Sequence, residues 1–184
     1  MRIVRFFAVG GAIIVFSAGA AIPAAAAPTD TTTVTFEILA GTLDIDGRAT
    51  AYLGTGVPGG TLSGSIAPVA VTDSRAAIDA TWEATVTSTA FQTGGGTTPE
   101  TVTPEAIDYW SGSAMPATGD GTFTPGQLTP TEAEPLSSVT PLIAFTHTGG
   151  AGNNTATWGP VLIVNFPPGS VAGVYTGTVT HSVA

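Results

Sequence analysis

The chain has 184 residues, with 13 Asp or Glu against four Lys or Arg and no cysteine. An acidic balance of this kind repels nucleic acid and anionic lipid, both of which are held by clustered Lys or Arg. All four cations are arginine, which excludes Schiff-base enzymology, the P-loop and Lys–Asn isopeptide crosslinks; the absence of cysteine excludes thiol catalysis, disulfides and cysteine metal sites.

The first element is a secretory signal over residues 1–26. Arg2 and Arg5 precede an apolar run from Phe6 to Ile22, Pro23 breaks the helix, and Ala24-Ala25-Ala26 fits small-residue cleavage after Ala26. The remaining residues, 27–184, are one domain's worth and keep Arg48 and Arg75 as their only cations. The run is too short for a permanent span and no second one follows. The expectation is a secreted, extracellular protein with no membrane attachment after cleavage, held to the cell wall non-covalently if at all.

Downstream, short β-branched runs alternate with turn residues, and no amphipathic helix is evident. Val34, Phe36 and Ile38 alternate with Thr33, Thr35 and Glu37, which predicts a half-buried strand. Asp44-Ile45-Asp46-Gly47 has the look of a calcium loop but lacks a third oxygen ligand and the closing Glu. Gly54 to Gly59 fits G-x-G-x-x-G in letters, yet Pro58 and the lack of a following helix make it a loop.

Thr61 to Val71 predicts a strand interrupted at Pro68. In the next, Trp82, Ala84, Val86 and Ser88 share one face, and Phe91 ends the run on the other. Met115 to Pro141 contains five prolines and is expected to be a long surface loop, with Phe123 and Leu128 tacked to the body. Leu142 to Thr146 and Val161 to Phe166 predict core strands. Asn153-Asn154-Thr155 predicts an accessible loop. In the terminal strand, Tyr175, Val179, His181 and Val183 line one side while Thr176, Thr178, Thr180 and Ser182 face outward. The fold class these runs predict is all-β: a single Ig-like antiparallel β-sandwich.

The stretch Val69 to Phe91, read as V-x-V-x-D-x-R, a spacer, and W-x-x-x-V-x-x-T-x-F, resembles the core signature of the WxL-domain surface proteins of Gram-positive bacteria. Pro167 to Val183, a Pro/Gly turn followed by Tyr175-Thr176-Gly177-Thr178-Val179-Thr180, is similar to that family's closing pattern. The two naming Trp-x-Leu motifs are degenerate here, reading Trp82-Glu83-Ala84 and His181-Ser182-Val183, so the likeness is to a divergent branch. The resemblance implies a cell-surface sandwich that contacts peptidoglycan non-covalently through its tryptophan motifs.

Several side chains stand out as site candidates. Asp73 and Arg75 read as a structural lock, with Asp73 bonding to backbone and Arg75 reaching Asp73 or Asp79. Trp82 is either a core plug or a platform for a sugar ring. Tyr109 and Trp110, adjacent on a strand, must point to opposite faces, which makes the pair the best ligand-binding candidate. His147 and His181 read as core residues each bonded to a neighbour. No metal or cofactor is expected, and no Gly-x-Ser-x-Gly elbow is present. The resulting expectation is a non-catalytic cell-envelope module that contacts a wall glycan. The alternative is assembly with another surface protein along the edge strand Val174 to Val183, which carries no charge to protect it. A secreted glycan hydrolase is a third reading.

Overall fold

Residues with period-two alternation build the strands of the computed structural model, which describes residues 28–184. The predicted signal segment lies outside the described residues. Ile38–Ala184 forms one compact unit. In chain order its strands are β1 (Leu43–Gly47), β2 (Thr61–Ser65), β3 (Val69–Ala77), β4 (Trp82–Ser88), β5 (Phe91–Gln92), β6 (Thr101–Val102) and β7 (Ile107–Trp110). The later strands are β8 (Ala114–Thr118), β9 (Thr122–Pro125), β10 (Glu134–Pro135), β11 (Leu142–Thr148), β12 (Gly152–Trp158), β13 (Val161–Asn165) and β14 (Val179–Val183). Every strand pair is antiparallel, and the helical turns are single 3-10 segments such as Thr98–Glu100. The fold is therefore an all-β sandwich, as the sequence pattern predicts.

One layer has the order β14-β4-β11-β9. Two further four-stranded sheets, β1-β3-β12-β8 and β10-β7-β13-β2, meet at a corner, and β5 pairs with β6. Three chain segments pass through that corner side by side. Val69 pairs with Trp158 on one side of it and Ser65 with Val161 on the other, while Trp158 also faces Ala114 and Val161 faces Trp110. The bends thus fall at residues 66–68, 159–160 and 111–113, where Gly, Pro and Ser interrupt the alternation, and Ile66 N–H donates to Pro160 O at 3.0 Å across the corner.

Between the layers, Trp82, Trp158, Tyr109, Phe145, Ile107 and Leu162 are buried. Burial of each large apolar side chain contributes roughly 1.5–3 kcal/mol, enough in sum to dispense with disulfides. A row of rings crosses the first layer. His147 pairs with Trp82 of β4 on one side and Phe123 of β9 on the other, with ring centroids 5.7 and 4.4 Å apart.

Four sequence expectations are corrected. Val34, Phe36 and Ile38 belong to no strand and are 79, 87 and 76% exposed. The stretch Met115 to Pro141 is not a surface loop, since it supplies β8, β9 and β10; its prolines are tolerated because these are edge strands, where a missing N–H breaks no ladder. Phe123 packs against the core while Leu128 is exposed. Asn153-Asn154-Thr155 lies within β12 rather than in a loop. Asp44 to Gly47, which lacks the ligands of a calcium loop, is part of β1, with both Asp side chains exposed and Ile45 turned inward.

A groove beside the β14 edge as the candidate functional site

Two hydrogen-bonded chains run through the core and place most of the sequence-predicted site residues. In the first, the Trp82 Nε1–H donates to Asn154 Oδ1 at 2.7 Å, and Asn154 Nδ2 donates to Asp73 Oδ2 at 3.3 Å. Arg75 clamps Asp73 with Nε to Oδ1 at 2.9 Å and a second nitrogen to Oδ2 at 2.8 Å, then reaches Thr81 O. The Arg75 fork holds the Asp73 carboxyl down at about 2. The partner of Arg75 is thus Asp73 rather than Asp79. The lock sits within β3 rather than in a turn, and Arg75 N–H closes it onto Asp73 Oδ1 at 3.0 Å.

In the second chain, the Trp158 Nε1–H donates to Tyr109 Oη at 3.1 Å, and Tyr109 Oη lies 3.2 Å from His181 Nε2. The hydroxyl accepts from Trp158 and shares one further hydrogen with His181 Nε2, the donor of that second bond being set by the imidazole tautomer. Burial lowers the His181 pKa to about 4 and raises that of Tyr109. His147 bonds separately to Asp120 O at 2.9 Å. The two histidines face different residues of β4, Val86 and Trp82, and do not form a pair.

These placements correct the ligand-binding expectation for two of three rings. Trp82 and Tyr109 are fully buried and offer no face to a sugar. Trp110, on the opposite face of β7, is half-buried beside Gly112, whose positive φ turns the chain out of the strand. Tyr175 acts as a tie: its hydroxyl is 2.8 Å from Val171 O and 3.1 Å from Pro99 O.

A groove of about 480 Å³ is found elsewhere, between the edge strands β1 and β14. Its apolar lining comes from Ile45, Leu53, Ile66, Phe91 and Val179, and its polar groups are Asp46, Arg48 and His181. Sequence reasoning missed most of these residues. Asp44-Ile45-Asp46 does alternate, but two acids so close together suit a cation loop as well as an exposed strand face.

Along β14 the backbone leaves half of its groups free. Glu83 and Ala184 exchange both N–H···O bonds, at 3.0 and 3.1 Å. Alternation by two from that pair turns the amides and carbonyls of Thr180 and Ser182 toward β4 and those of Val179, His181 and Val183 away from it. Among the described residues β14 pairs with no second strand. The site can therefore accept an extended chain, by main-chain bonds along the edge and apolar contact within the groove.

Arg48 is exposed, and Tyr52, 79% exposed, stands between the lining residues Ala51 and Leu53. No group of three His, Cys, Asp or Glu is placed to hold a metal ion among the described residues. No family model matches the chain, and no curated protein is significantly similar to it.

Proposed function

We propose that the protein is an exported, non-catalytic module of the cell envelope, related to the WxL-domain surface proteins, that assembles with another surface protein by holding an extended segment against β14. The observation that carries this reading is the open row of backbone groups at Val179, His181 and Val183 beside a groove with an apolar lining. The relationship to WxL domains rests on the sequence resemblance of Val69 to Phe91 and Pro167 to Val183. Asp73, Arg75 and Trp82 join in one hydrogen-bonded chain through Asn154, and β4 and β14 pair directly. A non-catalytic role is supported by both histidines being engaged in structural hydrogen bonds.

A second reading, contact with peptidoglycan or another wall glycan, rests on the exposure of Tyr52, which does not line the groove but follows Ala51 and precedes Leu53, both of which do; its ring is free to stack on a sugar. Retention of the secreted protein on intact cell envelopes tests both. Assembly along the edge predicts that Thr180→Lys releases the protein and Tyr52→Ala does not, whereas glycan contact predicts the reverse. A protein found entirely in the medium overturns attachment by either route.

A further inference from the structure

Residues 31–39, Thr-Thr-Thr-Val-Thr-Phe-Glu-Ile-Leu, have the composition and alternation of a sandwich strand, yet they form none. The three apolar side chains that alternation puts on one face, Val34, Phe36 and Ile38, are each at least three-quarters exposed. A strand-forming run with one apolar face open to water is a template seeking a sheet edge.

The edge of β14 has matching needs. It offers three residues' worth of free main-chain groups, and Val174 to Ala184 contains no charged side chain to repel an incoming strand. Apolar side chains of Ile45, Leu53, Phe91 and Val179 line the adjoining groove, where a row such as Val34, Phe36 and Ile38 would be removed from water.

The root of the segment also bears on which molecule it serves. Gly41 N–H donates to Ser74 O at 2.8 Å and Ser74 N–H to Thr42 O at 2.8 Å, so the chain enters the fold at the start of β1. The groove is lined instead by the far half of β1 and the loop after it, from Ile45 to Ala51. A strand reaching its own groove must reverse direction at Ala40–Gly41, where the Gly41 amide is already engaged.

We infer that residues 31–39 of one copy add as a strand to the free edge of β14 in a second copy, covering the groove and joining the chains by donated strands. The inference rests on the edge-assembly reading above and names its partner as a second copy of this chain. Donation of this kind is heterologous, and it yields either a closed reciprocal dimer or an open series.

The test is sedimentation velocity on the chain from residue 27 onward, at concentrations from about 1 to 200 μM. It is run on the unchanged protein, on Phe36→Lys and on Thr180→Lys, with circular dichroism confirming that each variant is folded. Phe36 and Thr180 are both exposed, so neither substitution disturbs the core. The expected result is concentration-dependent association that both variants weaken by roughly tenfold or more.

Absence of cysteine allows a second measurement. Mixing Thr35→Cys protein with Thr180→Cys or Ser182→Cys protein under oxidation is expected to give a mixed dimer that adding Phe36→Lys to the Thr35→Cys chain abolishes. A monomer at every concentration overturns the inference. So does an associated state that responds to Thr180→Lys but not to Phe36→Lys, which leaves the edge-assembly reading standing with a different partner. The edge-assembly reading itself fails if Thr180→Lys also leaves envelope retention unchanged, or if the unchanged protein is not retained at all.

Discussion

The Trp82 indole N–H ends on the Asn154 side-chain oxygen, 2.7 Å away and buried between the two layers. Asn154 is the hinge of a relay, because its amide nitrogen passes on to Asp73. Replacing Asn154 by Ala leaves a buried indole donor and a buried carboxylate oxygen each short of a partner. The expected cost is about 2–4 kcal/mol, read as a lower urea midpoint with an unchanged slope.

Arg75 supplies the counter-charge that lets Asp73 stay ionised inside β3. Its removal in Arg75→Met strands a buried carboxylate, a defect worth about 3–5 kcal/mol in enclosed pairs and less here because Arg75 itself is about one-third exposed. The pH dependence has a definite sign. The folded-state pKa of about 2 lies below the ordinary 3.8, so the contribution is fully present above pH 4 and is lost as pH falls toward 2. In Arg75→Met the acid transition, followed by tryptophan fluorescence, is expected to begin at higher pH.

His181 gives a separate signature at milder acidity. Its folded pKa of about 4 lies below the ordinary 6.5, so the unfolded chain takes up a proton that the native chain refuses. Stability is expected to fall between pH 6.5 and pH 4 by about 3 kcal/mol and to gain nothing further from this group below that. His181→Gln keeps a side chain that can accept from or donate to the Tyr109 hydroxyl while removing the titration. Its unfolding free energy, measured in urea across this range, is expected to lose that part of the slope.

Gly121 fills a position no other residue fits. Its φ is +107°, and an added Cβ would run into His147 Nε2 and the Gly149 carbonyl. Gly121→Ala is expected to destabilise by about 2–4 kcal/mol, seen as a drop of roughly 10 °C in Tm. A Tm within about 2 °C of the unchanged protein would refute the account of this turn.

Legibility of the fold tracks the physics of each segment. β4 and β14 are readable because one face of each is mostly apolar and the other polar, Glu83, Thr85 and Thr87 in β4 and Thr180 and Ser182 in β14, the pattern of a half-solvated sheet. β12 is hidden because its buried positions, Asn154, Ala156 and Trp158, begin with a polar amide and a small side chain; its inward character depends on partners far away in sequence. β8 and β9 are masked by Pro116 and Pro125, which exclude a central strand but not an edge one. At residues 33–38 the alternation marks a strand-forming run, but alternation does not say which sheet receives it. The groove is the least legible feature, since its lining is gathered from β1, the loop after it, Phe91 and β14. The rings of Trp82 and Tyr109 show the converse: aromatic identity says nothing about side until the layers are stacked.

The bond from Tyr109 to His181 gives the fold a check on completeness. β14 follows the other described strands, and its His181 is the partner of a hydroxyl that already accepts from Trp158 deep inside. A chain lacking residues 179–183 would leave the Tyr109 hydroxyl without its His181 partner and the flank of β4 uncovered. Such a fragment is expected to unfold less cooperatively and to be cut more readily by proteases.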